Sequence, residues 1–401
     1  MTDHADHLMA TYRRLPVSFE RGEGAWLWST DGTRYLDALS GIAVCGLGHA
    51  HPGVRDALCE QAGRLLHVSN LYHIPAQETL GERLCAAAGM DSAFFCNSGA
   101  EANEAAIKLA RLYGSGRGVQ RPDIVVMEQS FHGRTLATLS ATGNRKAQAG
   151  FEPLVSGFVR VPYNDLAAVE TAAANRAAIV AVLVEPIQGE GGVIVPDAGY
   201  LAGLRELCDR HGWLLMCDEV QSGMGRTGKL FAHQHEGVAP DVLTLAKGLG
   251  NGVPIGACLA RGAAAEVLVP GSHGSTFGGN PLACRAALAV LDALAEDALP
   301  ARAAELGERI QIGLRDGLAD AAGVVAVRGR GLMIGLELDR PCAQLVAAAL
   351  AEGVLLNVTA ERVVRLLPPL IIDDAQAEQI ISTVVRIVRA FLGQAEHSHA
   401  A

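Results

Sequence analysis

Four short apolar segments of this chain each end in polar or charged residues. These junctions are Phe94–Cys96 before Asn97 and Ser98, Ile179–Val184 before Glu185, Leu214–Cys217 before Asp218, and Val242–Leu245 before Ala246 and Lys247. A single charged strand end is usually only the point where the chain meets water. Ligands of open α/β sheets gather at the carboxyl ends of parallel strands. The repeated pattern therefore predicts one cleft that contains a lysine, an aspartate and a hydroxyl group.

Lys247 and Asp218 are complementary in their chemistry. A lysine at a buried junction has its pKa lowered by desolvation, and the free amine can then attack a carbonyl carbon. An aspartate at a strand end can keep a pyridine nitrogen protonated, which makes the ring an electron sink. Taken singly, each residue has a plainer interpretation. Lys247 would extend to the surface, and Asp218 would be a turn or N-cap aspartate.

The segment from Asn97 to Ala100 precedes a helical pattern over Ala100–Tyr113. Free backbone N–H groups at a helix N-terminus bind phosphate, and Ser98 and Gly99 suit such a site by offering a hydroxyl group and close approach. An ordinary N-cap at Ser98 is the alternative.

Two other kinds of motif do not predict a binding site. Gly248–Gly252 lacks the strand–turn–helix context of a dinucleotide-binding loop. The pairs His49/His51 and His233/His235 lack the surrounding ligands of a metal site, so no metal is expected.

Composition excludes several functional classes. The 401 residues are 50% hydrophobic with a formal net charge of −10 and no run of Lys or Arg, which argues against a nucleic-acid partner. Nine cysteines without a C-x-x-C pair indicate reduced thiols. The polar segment Met1–Ala10 is unlike a signal peptide, and the apolar run Ile179–Val184 is too short to cross a bilayer. We therefore expect a cytoplasmic protein without a membrane partner.

Strand-like and helical segments alternate through the middle of the chain. This pattern predicts an α/β fold with a mostly parallel central sheet covered by helices. A hairpin is expected around Asp31-Gly32, and one long helix over Ala283–Leu318. We predict a large domain over residues 51–290 and a smaller α+β domain formed by residues 1–50 and 291–401.

The motifs in combination resemble the class III (subgroup II) pyridoxal-phosphate-dependent aminotransferases. The motifs are Gly46–Pro52, Asn97–Asn103, Phe131–Thr135, Glu185–Glu190, Asp218–Gly223, Ala246–Gly248 and Gly274–Pro281, and the resemblance extends roughly from Leu15 to Val388. Within this class, the segments Gly41–His49 and His67–Tyr72 resemble the enzymes that act on N-acetylornithine, more than those for ornithine or 4-aminobutyrate. The resemblance implies a fold-type I architecture and a homodimer with shared active sites.

The resemblance also implies a role for individual residues. Lys247 would form the Schiff base with pyridoxal 5′-phosphate and shuttle a proton, and Asp218 would pair with the pyridine nitrogen. The remaining cofactor contacts would come from Gln221 at the ring hydroxyl, Phe131 and Val220 on the two ring faces, Ser98, Gly99 and Ala100 at the phosphate, and Thr276 of the partner subunit.

Substrate residues are implied in the same way. Arg134 would bind the substrate α-carboxylate through a bidentate pair. Glu190 would neutralise Arg365 until a second carboxylate arrives, and Ser275 would contact the acylamino group. The implied reaction moves the δ-amino group of N2-acetylornithine to 2-oxoglutarate. Alternatives are a sister aminotransferase for ornithine, succinylornithine, succinyldiaminopimelate or 4-aminobutyrate, an aminomutase, or a regulatory protein that binds the cofactor without turnover.

Overall fold

The computed structural model describes residues 7–399 of the chain, with side chains through Gly393. The expectation about the N-terminus rests mainly on residues 1–6, which lie outside the described residues. The strands are β1 Phe19–Glu23, β2 Trp26–Ser29, β3 Arg34–Asp37, β4 Ser92–Cys96, β5 Asp123–Met127, β6 Phe158–Val161, β7 Ile179–Val184, β8 Leu214–Asp218, β9 Val242–Leu245, β10 Gly256–Ala260, β11 Val324–Arg330, β12 Met333–Leu338, β13 Val354–Leu355, β14 Asn357–Thr359 and β15 Val363–Leu366.

The helices differ widely in length. They are the distorted turn α1 Ser40–Ala43, then α2 Pro52–Ala62, α3 Pro75–Ala88, α4 Gly99–Gly116, α5 Leu136–Ala141, α6 Arg145–Gln148, α7 Leu166–Asn175, α8 Tyr200–His211, α9 Pro281–Glu296, α10 Leu299–Gly317, α11 Gln344–Ala351 and α12 Asp374–His399. Within residues 7–399, none of these helices combines the length and the apolar character that a membrane span requires.

The central sheet has seven strands in the order β4-β10-β9-β8-β7-β5-β6. Strands β5 to β9 pair in parallel with one another, whereas β10 is antiparallel to both β4 and β9. All six residues of β7 are buried, as expected for a parallel strand covered on both faces. The prediction of a mostly parallel sheet covered by helices is confirmed.

Helix α8 illustrates how the sequence produces a covering helix. Its buried residues recur at helical spacing, and they are Tyr200, Leu201, Leu204, Leu207 and Cys208. The helix ends at Gly212, whose φ of 67° is the left-handed conformation that glycine adopts without strain. The chain then enters β8 directly, so this helix fixes where the strand that ends in Asp218 begins.

Two smaller four-stranded sheets are formed by the ends of the chain. The predicted hairpin is confirmed by the antiparallel pairing of β2 with β3, but β1 was not predicted and extends the hairpin to a third strand. Strand β13 pairs in parallel with β3, so the N- and C-terminal parts of the chain share one sheet. The other sheet has the order β11-β12-β15-β14. The domain boundaries near residues 50 and 290 stay predictions.

Buried Arg226 attaches the C-terminal sheet to the segment after β8. Its Nη1 atom donates to the carbonyl oxygens of Leu332, at 3.0 Å, and Pro368, at 2.5 Å. The backbone N–H of Leu332 donates in return to the carbonyl of Arg226, at 3.0 Å. These bonds fix the position of β15 relative to the central sheet.

The prediction of one helix over Ala283–Leu318 is wrong. The chain forms α9 and α10, separated at Asp297 and Ala298, and Ala298 has a left-handed φ of 48°. Pro300 lies in the first turn of α10, where its missing N–H costs nothing, whereas inside a continuous helix it would break a hydrogen bond.

The packing of α10 on the turn between β11 and β12 yields a stability prediction. A Cβ atom at Gly307 would lie 1.9 Å from the backbone oxygen of Gly331. We expect Gly307→Ala to lower the free energy of unfolding by about 1–3 kcal/mol because backbone must move. The matched control is Gly116→Ala in α4, where no atom lies within 4 Å, and its effect should stay within about 1 kcal/mol. Urea unfolding followed by circular dichroism measures both; equal midpoints would contradict the predicted contact.

Candidate active site

The strand ends selected from the sequence meet in one cavity of about 380 Å³ at the carboxyl edge of the central sheet. Most of the predicted site residues line it, namely Ser98, Gly99, Ala100, Phe131, Arg134, Asp218, Val220, Gln221 and Lys247. Asn97, Asn103, His132 and Glu185 also line this cavity. Glu190 and Arg365 lie behind Gln221, while Ser275 and Thr276 lie elsewhere.

Asp218 ends β8 and is held by three donors. The Asn103 amide donates to Oδ2 at 2.7 Å, and Nδ1 of His132 lies 2.8 Å from the same oxygen. Oδ1 accepts the N–H of Val220 at 3.0 Å. Because the carboxyl group is buried and its contacts come from separate segments, its orientation in the cavity is fixed.

Asn103 and His132 were not selected from the sequence. The Asn103 amide also donates to the carbonyl of His132 at 2.9 Å, and its Oδ1 accepts from the Thr244 hydroxyl at 2.8 Å. Nε2 of His132 is buried without a protein partner. Both residues belong to motifs on which the family resemblance rests. Those motifs do not predict that the two side chains contact Asp218.

Lys247 follows β9 and stands at the cavity wall. Its φ of 42° is left-handed, a conformation that a residue with a side chain adopts only when its surroundings impose it. Burial lowers the pKa of its ammonium group, and the carboxylate of Glu190 only partly offsets that effect. The lysine is therefore shifted toward the neutral amine that a nucleophile requires.

Helix α4 begins at the cavity, with Ser98 as its N-cap. The Ser98 hydroxyl accepts the N–H of Glu101 at 3.2 Å, which is the geometry of an ordinary N-cap. The N–H groups of Gly99 and Ala100 belong to the first turn and have no partner within the helix. A Cβ atom at Gly99 would lie 2.6 Å from Cγ1 of Val220. The helix start therefore remains suited to an anion while packing tightly on Val220.

Phe131 and Arg134 form the outer part of the cavity. The backbone N–H of Phe131 donates to Oε1 of Glu185 at 2.9 Å, which holds the segment after β5 against the end of β7. The Arg134 guanidinium lies 5.6 Å from the centre of the Phe131 ring and is exposed. A carboxylate that enters the cavity can therefore reach this arginine.

Glu190 and Arg365 form an ion pair next to the cavity, an arrangement that no local pattern reveals. Nη1 of the fully buried Arg365 lies 2.6 Å from Oε1 of Glu190. The guanidinium also donates to Asn357 at 3.1 Å and to Gln221 at 3.2 Å. Burial by itself raises the pKa of the Glu190 carboxyl group, but the nearby Arg365 and Lys247 reverse this, so the net pKa is lowered. Glu190 is therefore ionised when the pair is formed.

Glu185 follows β7 and is another buried carboxyl group of the cavity, for which the sequence did not predict a site role. Its oxygens accept the N–H groups of Phe131, at 2.9 Å, and Gly189, at 3.0 Å. Burial raises its pKa to about 7, with a further contribution from the nearby Asp218. Glu185 thus holds two loops of the cavity together through their backbones.

Ser275 and Thr276 do not reach the cavity of their own chain. They line a second cavity on the other side of Asn97 and Glu101. The Ser275 hydroxyl accepts the N–H of Gly278 at 2.9 Å, and Thr276 is exposed. Within one chain, neither residue can contact a molecule bound between Lys247 and Asp218.

Comparison with known proteins agrees with this geometry. The family model described as aminotransferase class-III matches residues 8–388. A protein of Nitrosomonas europaea named acetylornithine aminotransferase is 61% identical over 386 residues, covering 96% of this chain and 98% of that protein.

Solved structures show the same similarity. An ornithine aminotransferase from Toxoplasma gondii superposes with a TM-score of 0.94 at 35% identity, covering 97% of this chain and 94% of that one. An acetylornithine aminotransferase from Elizabethkingia anophelis has a TM-score of 0.85 at 36% identity, covering 95% of this chain and 96% of that one. This chain belongs to the class III aminotransferases.

Proposed function

We propose that the protein transfers the δ-amino group of N2-acetyl-L-ornithine to 2-oxoglutarate, giving N-acetyl-L-glutamate 5-semialdehyde and L-glutamate, a reaction of arginine biosynthesis. The observation that carries this proposal is the contact between Glu190 and Arg365, 2.6 Å apart. Acetylornithine has one carboxylate, which Arg134 can bind, so Arg365 must be neutralised by the protein. 2-Oxoglutarate has two carboxylates, and the second replaces Glu190. The similarity to proteins named acetylornithine aminotransferase supports the same donor.

The cofactor of this class is pyridoxal 5′-phosphate, and the residues of the cavity fit it. An amine, a buried carboxylate and the free N–H groups of a helix start line one cavity, and these are the partners that an aldehyde, a pyridine nitrogen and a phosphate need. When bound, the cofactor supplies the electron sink for the carbanion at the carbon that bears the reacting amino group.

The roles proposed for the residues follow from their positions. Lys247 would hold the cofactor covalently through Nζ, and the same atom would carry the proton that moves during amino transfer. Asp218, held by Asn103 and His132, would keep the ring nitrogen protonated. The remaining contacts that we propose are Phe131 and Val220 on the two ring faces, Gln221 at the ring hydroxyl, and Ser98, Gly99 and Ala100 at the phosphate.

We further propose that the protein is a homodimer. Large apolar residues are exposed in the 65–72 segment and in the 275–278 segment that it contacts, and they are Leu65, Leu66, Leu71, Tyr72 and Phe277. Phe277 contacts His67 with ring centres 5.3 Å apart, and the Asn70 amide donates to the carbonyl of Ser275 at 3.1 Å. A contiguous exposed apolar patch is typical of an interface. In a dimer, Thr276 would reach the partner's phosphate site and Ser275 its acylamino group.

A cytoplasmic location is also proposed. The nine cysteines are all free thiols, as expected for a protein that folds in a reducing compartment.

A donor panel tests the proposed substrate. Acetylornithine, ornithine, succinylornithine and 4-aminobutyrate are added separately to the purified holoenzyme while the absorbance of the bound cofactor is recorded. We expect acetylornithine to convert the cofactor to its aminated form at the lowest concentration, and 2-oxoglutarate to restore the starting spectrum. A lower half-saturating concentration for another amine would reassign the donor. Isomerisation of the amine without any 2-oxo acid would instead indicate an aminomutase, and no conversion with any amine would indicate a protein that binds the cofactor without turnover.

The proposed role of Lys247 predicts the behaviour of Lys247→Ala. The variant should fold and retain noncovalent cofactor, because Asp218 and the start of α4 are unchanged, but multiple turnover should be lost with both nucleophile and proton carrier. Lys229→Ala, which changes a lysine outside the cavity, serves as the control. Turnover by Lys247→Ala at the wild-type rate would refute the assignment.

The Glu190–Arg365 pair predicts a reciprocal change in the two half-reactions. Glu190→Gln leaves Arg365 without its counter-ion, so 2-oxoglutarate should bind more tightly and acetylornithine less tightly. We expect each KM to change roughly tenfold, in opposite directions, which corresponds to about 1.4 kcal/mol. Glu352→Gln, which removes an exposed pair with Arg386, is the control. Equal changes in both half-reactions would contradict the proposed role of this pair.

A further inference from the structure

The backbone around Glu190 is anchored on both sides. The N–H of Gly189 donates to Oε2 of Glu185 at 3.0 Å, and the carbonyl oxygen of Glu190 accepts from the Thr359 hydroxyl at 2.6 Å. Gly189 is also pressed against Gln221, since a Cβ atom there would lie 2.3 Å from its Oε1. The main chain at this point is thus bound to the end of β7, to strand β14 and to the cavity wall.

The side chain of Glu190 is less restrained than its backbone. A third of it (33%) is exposed, whereas its partner Arg365 has no exposed surface. Arg365 is also held by Asn357, which has no contact with Glu190, and by Gln221, whose Nε2 atom donates to Oε1 of Glu190 at 3.4 Å. The geometry therefore combines a fixed cation with a carboxylate that can rotate about a fixed point of attachment.

Glu185 holds two backbone N–H groups although it is a buried carboxyl group. It is buried, and none of the ion pairs among the described side chains includes it, so its burial is costly. Both of its oxygens accept a backbone N–H, and an ionised acceptor makes these bonds stronger than a neutral one would. A glutamine of the same size has only one accepting oxygen, and its NH₂ group would oppose the second N–H.

We propose that Glu185 and Thr359 are positioning residues that set how strongly Glu190 competes with a substrate carboxylate for Arg365. By holding the backbone on both sides of the Glu190 Cα atom, they direct its carboxylate at the guanidinium and so reduce the entropy lost when the ion pair forms. Weakening either anchor makes this ion pair less favourable and leaves Arg365 more available to an incoming dicarboxylate. This inference rests on the proposed exchange of Glu190 for a substrate carboxylate.

Glutarate, which has two carboxylates and no reacting group, is the probe for this role. Its Kd is measured on the holoenzyme by calorimetry for the wild type, Glu185→Gln and Thr359→Val. We expect Kd to fall at least about threefold in both variants while the KM for acetylornithine rises by a similar factor. The control is Glu236→Gln, which changes another carboxylate that accepts a backbone N–H, from Ala202 at 3.1 Å, away from the cavity. Its Kd should match that of the wild type.

The direction in which the Kd for glutarate changes distinguishes a positioning role from a loss of structure at the site. Loss of structure at the site would weaken glutarate binding, so an unchanged or raised Kd in Thr359→Val overturns the proposal, even if Glu185→Gln does not fold. If the donor panel identifies acetylornithine and glutarate binding is unchanged, the positioning role fails alone. If another amine is the donor and glutarate binding tightens in both variants, the substrate assignment fails and the positioning role stands.

Discussion

The buried carboxylate of Asp218 depends on the register of the central sheet. Asp218 on β8 lies directly opposite Thr244 on β9, and the Thr244 hydroxyl reaches Asn103 on α4, whose amide in turn donates to Asp218. A shift of either strand by one residue would turn one of these side chains to the other face of the sheet and break the chain of contacts. The orientation of the Asp218 carboxylate therefore depends on both the register of β8 and β9 and the packing of α4.

The charged groups of the site influence one another beyond the ion pair of Glu190 and Arg365. The carboxylate of Glu190 raises the pKa of Lys247 and Arg365 lowers it, while Arg365 and Lys247 both lower the pKa of Glu190. Glu185 adds a carboxyl group close to Asp218, and its pKa rises to about 7 mainly because it is buried. In a region of low dielectric such groups respond to each other strongly. The pKa of Lys247 thus depends on Glu190 and Arg365, which lie far from it in the sequence.

The sequence predicted the features that local pattern determines. Strands β7 and β9 were predicted with their observed limits, because short runs of buried apolar residues bounded by polar ones are unambiguous. The pairing of Glu190 with Arg365 came only from family resemblance, since 175 positions separate them and the contact exists only once the C-terminal sheet is attached. The convergence of Asn103 and His132 on Asp218 was missed for the same reason. The break at Ala298 was missed because the helical pattern continues on both sides of it.

The pairing of β3 with β13 also has a consequence for the order in which the protein is made. Leu36 is synthesised early, but its partner Val354 leaves the ribosome more than three hundred residues later. Closing so long a loop is slow and entropically costly. The edge of β3 that pairs with β13 therefore stays unpaired until the later part of the chain has been synthesised. Arg365 emerges later still. The segments that carry Asp218 and Lys247 are therefore synthesised well before Arg365, the residue that we propose distinguishes one substrate from the other.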